Sequence, residues 1–398
     1  MSMATVDPIS DVISEAPQSA ASLLVMLAAM PPDQFESVLA NLSSAFAADS
    51  LLIAAQNEFT SSPFPDLRII HAPATSAAWT STAADFVNAF QFAQDEGVRG
   101  ILMLGPGAGS LSPSSLRQLA GAVLSATVDL AMPCYTLPPH AGLINSAILY
   151  PLTRALFATR VRFPQAIDMG LSLRMAERLA ATAQRFTSSN QPDALIWPVN
   201  EAITAGFAAD EYEVGPRALP QPADADINAI LSLVTGSLFA DVEAKAAAWQ
   251  RPRRPPPPRR SFPDAGFADG TAEVARMVES FRFAYSNLLE IWSLVLPPNS
   301  LLGLKRLSAA NAADFRMPET LWARIVFDFL IAYRLRTINR GHLLGALIPL
   351  YLAWVAGHIN TTAAGTSSER HIEAVAAAFE ADKPYMVSRW RWPDRFNS

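Results

Sequence analysis

Residues 142–172, GLINSAILYPLTRALFATRVRFPQAIDMGLS, set Tyr150, Arg154, Arg160, Arg162, Gln165 and Asp168 into an otherwise apolar run. A buried polar group must be paired or must serve a ligand, so chemistry is expected here. Asp168 can act as a general base or bind hydroxyl groups; capping the next helix or pairing with Arg162 are the structural alternatives. Arg154 lies four residues after Tyr150, which on a helix puts both on one side. Its guanidinium fork suits a phosphate or a carboxylate, and a structural salt bridge fits the same position equally well. Arg162 and Gln165 follow in a loop. Tyr135 ends a predicted strand and Asn145 precedes a helix; each is a candidate ligand contact, with a satisfied buried hydroxyl and a helix cap as their alternatives.

The elements that must position these groups follow an α/β rhythm. Residues 21–28, 50–57, 67–72, 98–104, 128–137 and 210–214 read as short strands. Between them PPDQFESVLANLSSAFA, STAADFVNAFQFAQDEG and SLSPSSLRQLAGAVLSA repeat apolar residues at helical spacing, the last with serine caps. Such alternation predicts a parallel sheet with its ligand at the carboxyl ends of the strands. The glycine-broken turn GPGAGS, with Gly105, Gly107 and Gly109, follows one of those ends. A helix from Asp226 runs into RPRRPPPPRR, whose prolines favour an extended, solvated arm. We read it as a linker, with a basic docking site for an acidic partner as the alternative. Beyond it the periodicity is helical throughout. The expected organisation is a loose N-terminus (1–19), an α/β domain (20–248), a Pro/Arg-rich linker (249–270) and a helical C-terminal domain (271–398).

Composition narrows the partners. Of 398 residues 51% are hydrophobic, enough for a substantial core, and the net charge of −6 argues against a general nucleic-acid or anionic-membrane surface. A small metabolite is the expected ligand. The single cysteine, Cys134, excludes an intrachain disulfide, and the five histidines are scattered without metal-ligand spacing. Acidic residues precede the apolar stretch at 19–30, the reverse of a secretory leader, so a cytoplasmic location is expected. HLLGALIPLYLAWVAGHI, residues 342–359, approaches the roughly 18 to 20 apolar residues that span a bilayer. Its prolyl, glycyl and histidyl residues favour a buried helix instead, so no membrane span is expected. Trp322, Phe327, Phe329, Tyr333, Tyr351 and Trp354 recur at helical spacing, which suits a core or a homodimer interface. The terminal RWRWPDRF offers cation–π contacts on the protein's own surface.

Taken in order, PCYTLPPHAGLINSAILYPLTRALF, RVRFPQAIDMGLS, TGSLF at 235–239 and FDFLIAYRLRTINRGHLLGALIPLYLAWVA resemble the bacterial GT-A glycosyltransferases of the mannosylglycerate and glucosylglycerate synthase type. The likeness runs from about residue 20 to 360 and is densest over 133–172. It implies a Rossmann-like nucleotide-sugar transferase domain with a helical C-terminal extension. The implied reaction moves a hexose from a nucleoside diphosphate sugar to a small polar acceptor such as glycerate. Within it Asp168, in IDMG, stands at the acid position. Gly105, Gly107, Gly109, Arg154 and Arg162 would serve the donor diphosphate, and Tyr135, Asn145, Tyr150 and Gln165 the acceptor.

Three donor-side features depart from that family. Where it carries an Asp-x-Asp pair for Mg²⁺ or Mn²⁺, this chain has GPGAGS, so the metal ligands are absent. The first strand ends in LAAMPPDQ, not in a Pro–aromatic–Asn turn, and WTSTAADF replaces a glycine–lysine–glycine element. His140 and its prolines alter the loop after Tyr135. Trp197 is followed by Pro198, Val199, Asn200 and Glu201, the last a candidate replacement carboxylate or a plain helix-start residue. Loss of preorganised electrostatics costs several kcal/mol of transition-state stabilisation unless replaced. Three readings stand: metal-free catalysis by turn amides and arginines, an altered donor, or a catalytically silent relative that binds or scaffolds.

Overall fold

The computed structural model describes residues 21–57, 64–75, 79–191, 194–220, 226–251, 253, 256–257 and 271–393. Strand β1 (Leu23–Leu27) leads into α1 (Pro32–Ala45), β2 (Leu51–Ala55), β3 (Ile69–His71), α2 (Ala83–Asp95), β4 (Gly100–Leu104) and α3 (Pro113–Leu124). Next come β5 (Leu130–Thr136), α4 (Tyr150–Phe157), β6 (Met169–Ser172), α5 (Leu173–Ser188), α6 (Pro198–Ala205) and β7 (Ala209–Pro216). The rest is helical: α7 (Ile227–Ala244), α8 (Ala246–Trp249), α9 (Thr271–Val295), α10 (Pro298–Ser308), α11 (Glu319–Leu335), α12 (Arg340–Ala363) and α13 (Ser368–Arg391). The expected loose N-terminus and most of the expected linker lie outside the described residues.

Local sequence explains most boundaries. LLVML, LLIAA and GILML are buried at every position, the pattern of strands covered on both faces. Helix α2 starts on a capping box in which Thr82 and Asp85 satisfy each other's backbone amides. Ser112 caps α3 and Ser172 caps α5 by accepting from the amide three residues on.

The seven strands form one sheet in the order β3-β2-β1-β4-β6-β5-β7. The sheet is mixed, which corrects the all-parallel expectation: β6 runs antiparallel to both β4 and β5. The remaining pairs are parallel. The reason lies in the route of the chain. After β5 it stays at the carboxyl edge through α4 and the loop to Asp168, so the next strand can only run back from that edge.

Two apolar cores result. One fills the space between the sheet and α1, α2, α3 and α5. The other joins α4, α7, α9, α11, α12 and α13, and takes in residues 147–157 from the α/β part of the chain. Helices α7 and α12 are long and apolar enough to cross a membrane, yet 72% of the α12 window is buried inside the protein. The six aromatic residues from Trp322 to Trp354 are also internal, so they supply core and not a subunit face. Of the terminal tryptophans, Trp390 is buried under the Arg334 guanidinium, 4.2 Å from its ring centre.

Histidines that are scattered in sequence meet where α12 and α13 turn. The Nδ1 atoms of His358 and His371 lie 2.7 Å apart, and His358 Nε2 is 3.3 Å from the Pro139 carbonyl. Burial, reinforced by His371 and His140, pushes His358 down to about 3. An unfolded imidazole titrates near 6.5, so between those values the unfolded chain binds more protons and stability rises with pH. Through this group the unfolding free energy at about pH 5 should fall about 2 kcal/mol below that at neutral pH. Urea unfolding of His358→Phe at the two pH values should lose that share of the difference, whatever the variant's absolute stability.

Candidate functional site

The carboxyl edge of the sheet gathers Gln56 after β2, the turn 105–110 after β4, Tyr135 near the end of β5, Asp168 before β6 and Arg217 after β7. Asp168 is the hub. Its Oδ1 accepts from the Gly105 amide at 2.9 Å and from Arg217 Nη2 at 3.1 Å. Its Oδ2 accepts from the Tyr135 hydroxyl at 2.7 Å and from Arg217 Nε at 2.9 Å. An ionised carboxylate offers about four acceptor sites, and all are taken. The Asp168 and Arg217 side chains are fully buried. Burial first, and then the Asp168 charge, drive the Tyr135 hydroxyl well above its ordinary range. Burial works against the Arg217 charge, but Asp168 outweighs it and raises the guanidinium pKa. Asp168 therefore neither caps α5 nor pairs with Arg162, the two structural alternatives; its partner is a residue 49 positions on.

The glycine turn is packed as tightly. A Cβ on Gly105 would fall 2.3 Å from Ile167 Cδ1, so the isoleucine rests directly on the backbone. Gly107 has φ +83°, and a Cβ there would fall 2.2 Å from Arg217 Nη1. The turn's amides are engaged: Gly105 with Asp168, Gly107 with Gln34 Oε1 at 2.8 Å, Ala108 and Ser110 with carbonyls of the turn itself. The Gly105 and Gly107 amides, two of those expected to receive a diphosphate, thus already have acceptors.

On the other side of β1 a second polar network closes the edge. Asp85 accepts from Gln56 Nε2 at 3.0 Å, the Thr75 hydroxyl at 2.9 Å and the Thr82 amide at 2.8 Å. Gln165 donates to the Thr80 hydroxyl at 3.2 Å. The space left among Gln56, Thr80, Asp85, Leu104 and Ile167 is about 20 Å³. A recess between Tyr135, Arg162 and Glu369 is about 10 Å³. Each has room for about one water, whereas a small-molecule site occupies roughly 300 Å³ or more.

The two arginines expected at phosphate serve the helices. Arg154 sends Nε and Nη2 to the Glu380 carboxylate at 3.0 Å each, and Nη1 to Glu373 at 2.5 Å and the Tyr150 hydroxyl at 2.8 Å. Tyr150 and Arg154 do share one face, as their spacing predicts, but that face packs on α13. Arg162 donates to both Glu369 oxygens at 2.9 Å and to the Ser146 hydroxyl. Asn145 donates to the Arg162 carbonyl at 3.0 Å. Glu201 is buried between Arg178 and Lys245, which outweigh burial and keep its pKa below the ordinary carboxylate value. Trp197 donates its indole N–H to Ser237.

Arg217, Asp85 and Gln56 were not legible as site residues. Strand β7 runs to Pro216, past the predicted 210–214, and Arg217 is the next residue. A cation directly after a parallel strand was the available signal. A divalent cation does not fit here, because the turn carries no carboxylate and both Asp168 oxygens are occupied. Among the described residues no group of three or more His, Cys, Asp or Glu converges as a metal site.

No family model matches the chain, and no curated protein does. Solved structures do. Glucosyl-3-phosphoglycerate synthase from Mycobacterium tuberculosis, in complex with Mn²⁺, UDP-glucose and phosphoglyceric acid, is 12% identical over 56% of this chain and 80% of its own, with a TM-score of 0.36. The same synthase with Mg²⁺ and UDP is 13% identical over 56% and 80%, again at 0.36. A mycobacterial protein matches at 14% identity over 56% and 75%, also at 0.36. At this level of superposition the likeness says nothing of chemistry.

Proposed function

We propose that this chain is a glycosyltransferase-like protein whose donor cleft has become part of its core, and that it acts by binding and not by hexose transfer. The observation that carries this reading is the Asp168 node. A base needs an open lone pair within reach of its proton, and Asp168 has four donors and no solvent. Its charge is spent on Arg217, so the pair presents no net charge to a departing diphosphate. Retention of the 133–172 pattern beside a filled donor side agrees with a fold kept for another purpose.

A second reading is favoured by Arg217 itself. Its guanidinium lies against Gly107, where a diphosphate would need positive charge, and in this reading metal-independent transfer from a nucleoside diphosphate sugar to a small acceptor follows once Ile167 and Asp168 withdraw. That opening would break a fully buried ion pair, a cost of several kcal/mol. Calorimetric titration with UDP, GDP and their glucose and mannose conjugates, each with and without Mg²⁺ or Mn²⁺, separates the two. We expect no binding heat in any titration. Saturable binding of a sugar nucleotide that is lost when Asp168→Leu and Arg217→Met are combined would overturn the silent reading and assign Arg217 to the donor.

A further inference from the structure

Away from the sheet edge, a groove of about 790 Å³ runs between α4, the chain after α8 and the C-terminal half of α13. It shares no lining residue with the two small recesses at the sheet edge. Its volume falls in the range that holds a small organic molecule. Five cations line it: Arg154 of α4, Arg251 and Arg253, which begin the RPRRPPPPRR arm, and Lys383 and Arg391 of α13. The one lining carboxylate among the described residues, Glu380, has both oxygens on Arg154. Three of the others are anchored by neutral oxygens. Lys383 donates to the Leu156 carbonyl at 2.9 Å, Arg391 to Gln250 Oε1 at 3.0 Å and Arg253 to the Ile203 carbonyl at 3.4 Å. Burial first, and then the Arg253 charge, lower the Lys383 pKa. In a chain of net charge −6 this is a concentrated positive site. Ala155, Ala158 and Val387 supply an apolar wall, and Trp392 stands 62% exposed at its rim.

We propose that this groove binds a small amphipathic organic anion, its apolar body on the Val387–Trp392 wall and its carboxylate or phosphate head among Arg251, Arg253, Lys383 and Arg391. Guanidinium groups suit either head, and the site is independent of whether the sheet edge is silent. The test uses the full chain and the fluorescent anion 1-anilinonaphthalene-8-sulfonate as probe, displaced by decanoate, decyl phosphate or uncharged decanol. We expect one saturable probe site that either anion empties and decanol at equal concentration does not. The better of the two anions identifies the head group. Arg253→Glu combined with Arg391→Glu changes only exposed side chains, so the thermal midpoint should hold while probe affinity falls about tenfold or more. Val387→Trp, which crowds the apolar wall, should weaken binding without reversing any charge. Absence of saturable binding, equal displacement by decanol, or undiminished affinity in the charge-reversed variant would overturn the proposal.

Discussion

Asp168→Asn is expected to destabilise the protein by about 3 to 5 kcal/mol, because it strands the Arg217 guanidinium as a buried charge without a counter-ion. Neither side chain reaches solvent, and the same carboxylate also holds the Gly105 amide and the Tyr135 hydroxyl. Urea unfolding at neutral pH measures the loss as a shift in midpoint at constant slope. Replacing both partners, Asp168→Leu with Arg217→Met, should recover much of it, since removing a whole buried pair is far milder than removing half. A catalytic aspartate in an open cleft behaves oppositely: its removal abolishes activity and leaves stability almost untouched. Full stability of Asp168→Asn would therefore refute the closed-edge account.

Arg154→Ala comes second, with an expected loss of about 3 kcal/mol. The guanidinium is almost wholly buried and binds two carboxylates of α13, both themselves mostly covered. Burial opposes its charge, but Glu380, Tyr150 and Glu373 outweigh that and hold its pKa above the ordinary value. Without it, Glu373 and Glu380, two turns apart on α13, both lose the Arg154 counter-charge, and the joint between α4 and α13 loses a buried cation. Arg154→Lys keeps the charge but cannot reproduce the fork to Glu380, so its recovery should be partial. Urea unfolding of the two variants against the parent checks both statements. A phosphate-binding arginine would show the reverse pattern, with stability retained and ligand affinity lost.

Much of the architecture was legible because it is written in short-range pattern. Continuous apolar runs marked β1, β2 and β4, serine caps marked α3, and periodicity marked the C-terminal helices, all features that neighbouring residues settle among themselves. The antiparallel course of β6 was not legible, since four residues MGLS carry no sign of direction. Nor was the membership of α4 in the helical core, which depends on contacts with segments some two hundred residues on.

The polar residues divide in the same way. That Tyr150 and Arg154 share a face follows from helical spacing alone, and that 142–172 must satisfy several buried polar groups follows from its composition. Which groups satisfy them was decided by the tertiary structure: Arg217 for Asp168 at 49 residues' separation, Glu380 for Arg154 at 226. By itself the sequence determined that this chain folds as α/β followed by helices and that charge is buried in its middle. Only the packed structure decided that this charge is spent on holding the protein together, because electrostatic pairing depends on distance in space, and the spacing of residues along a chain constrains that distance only within one helix or strand.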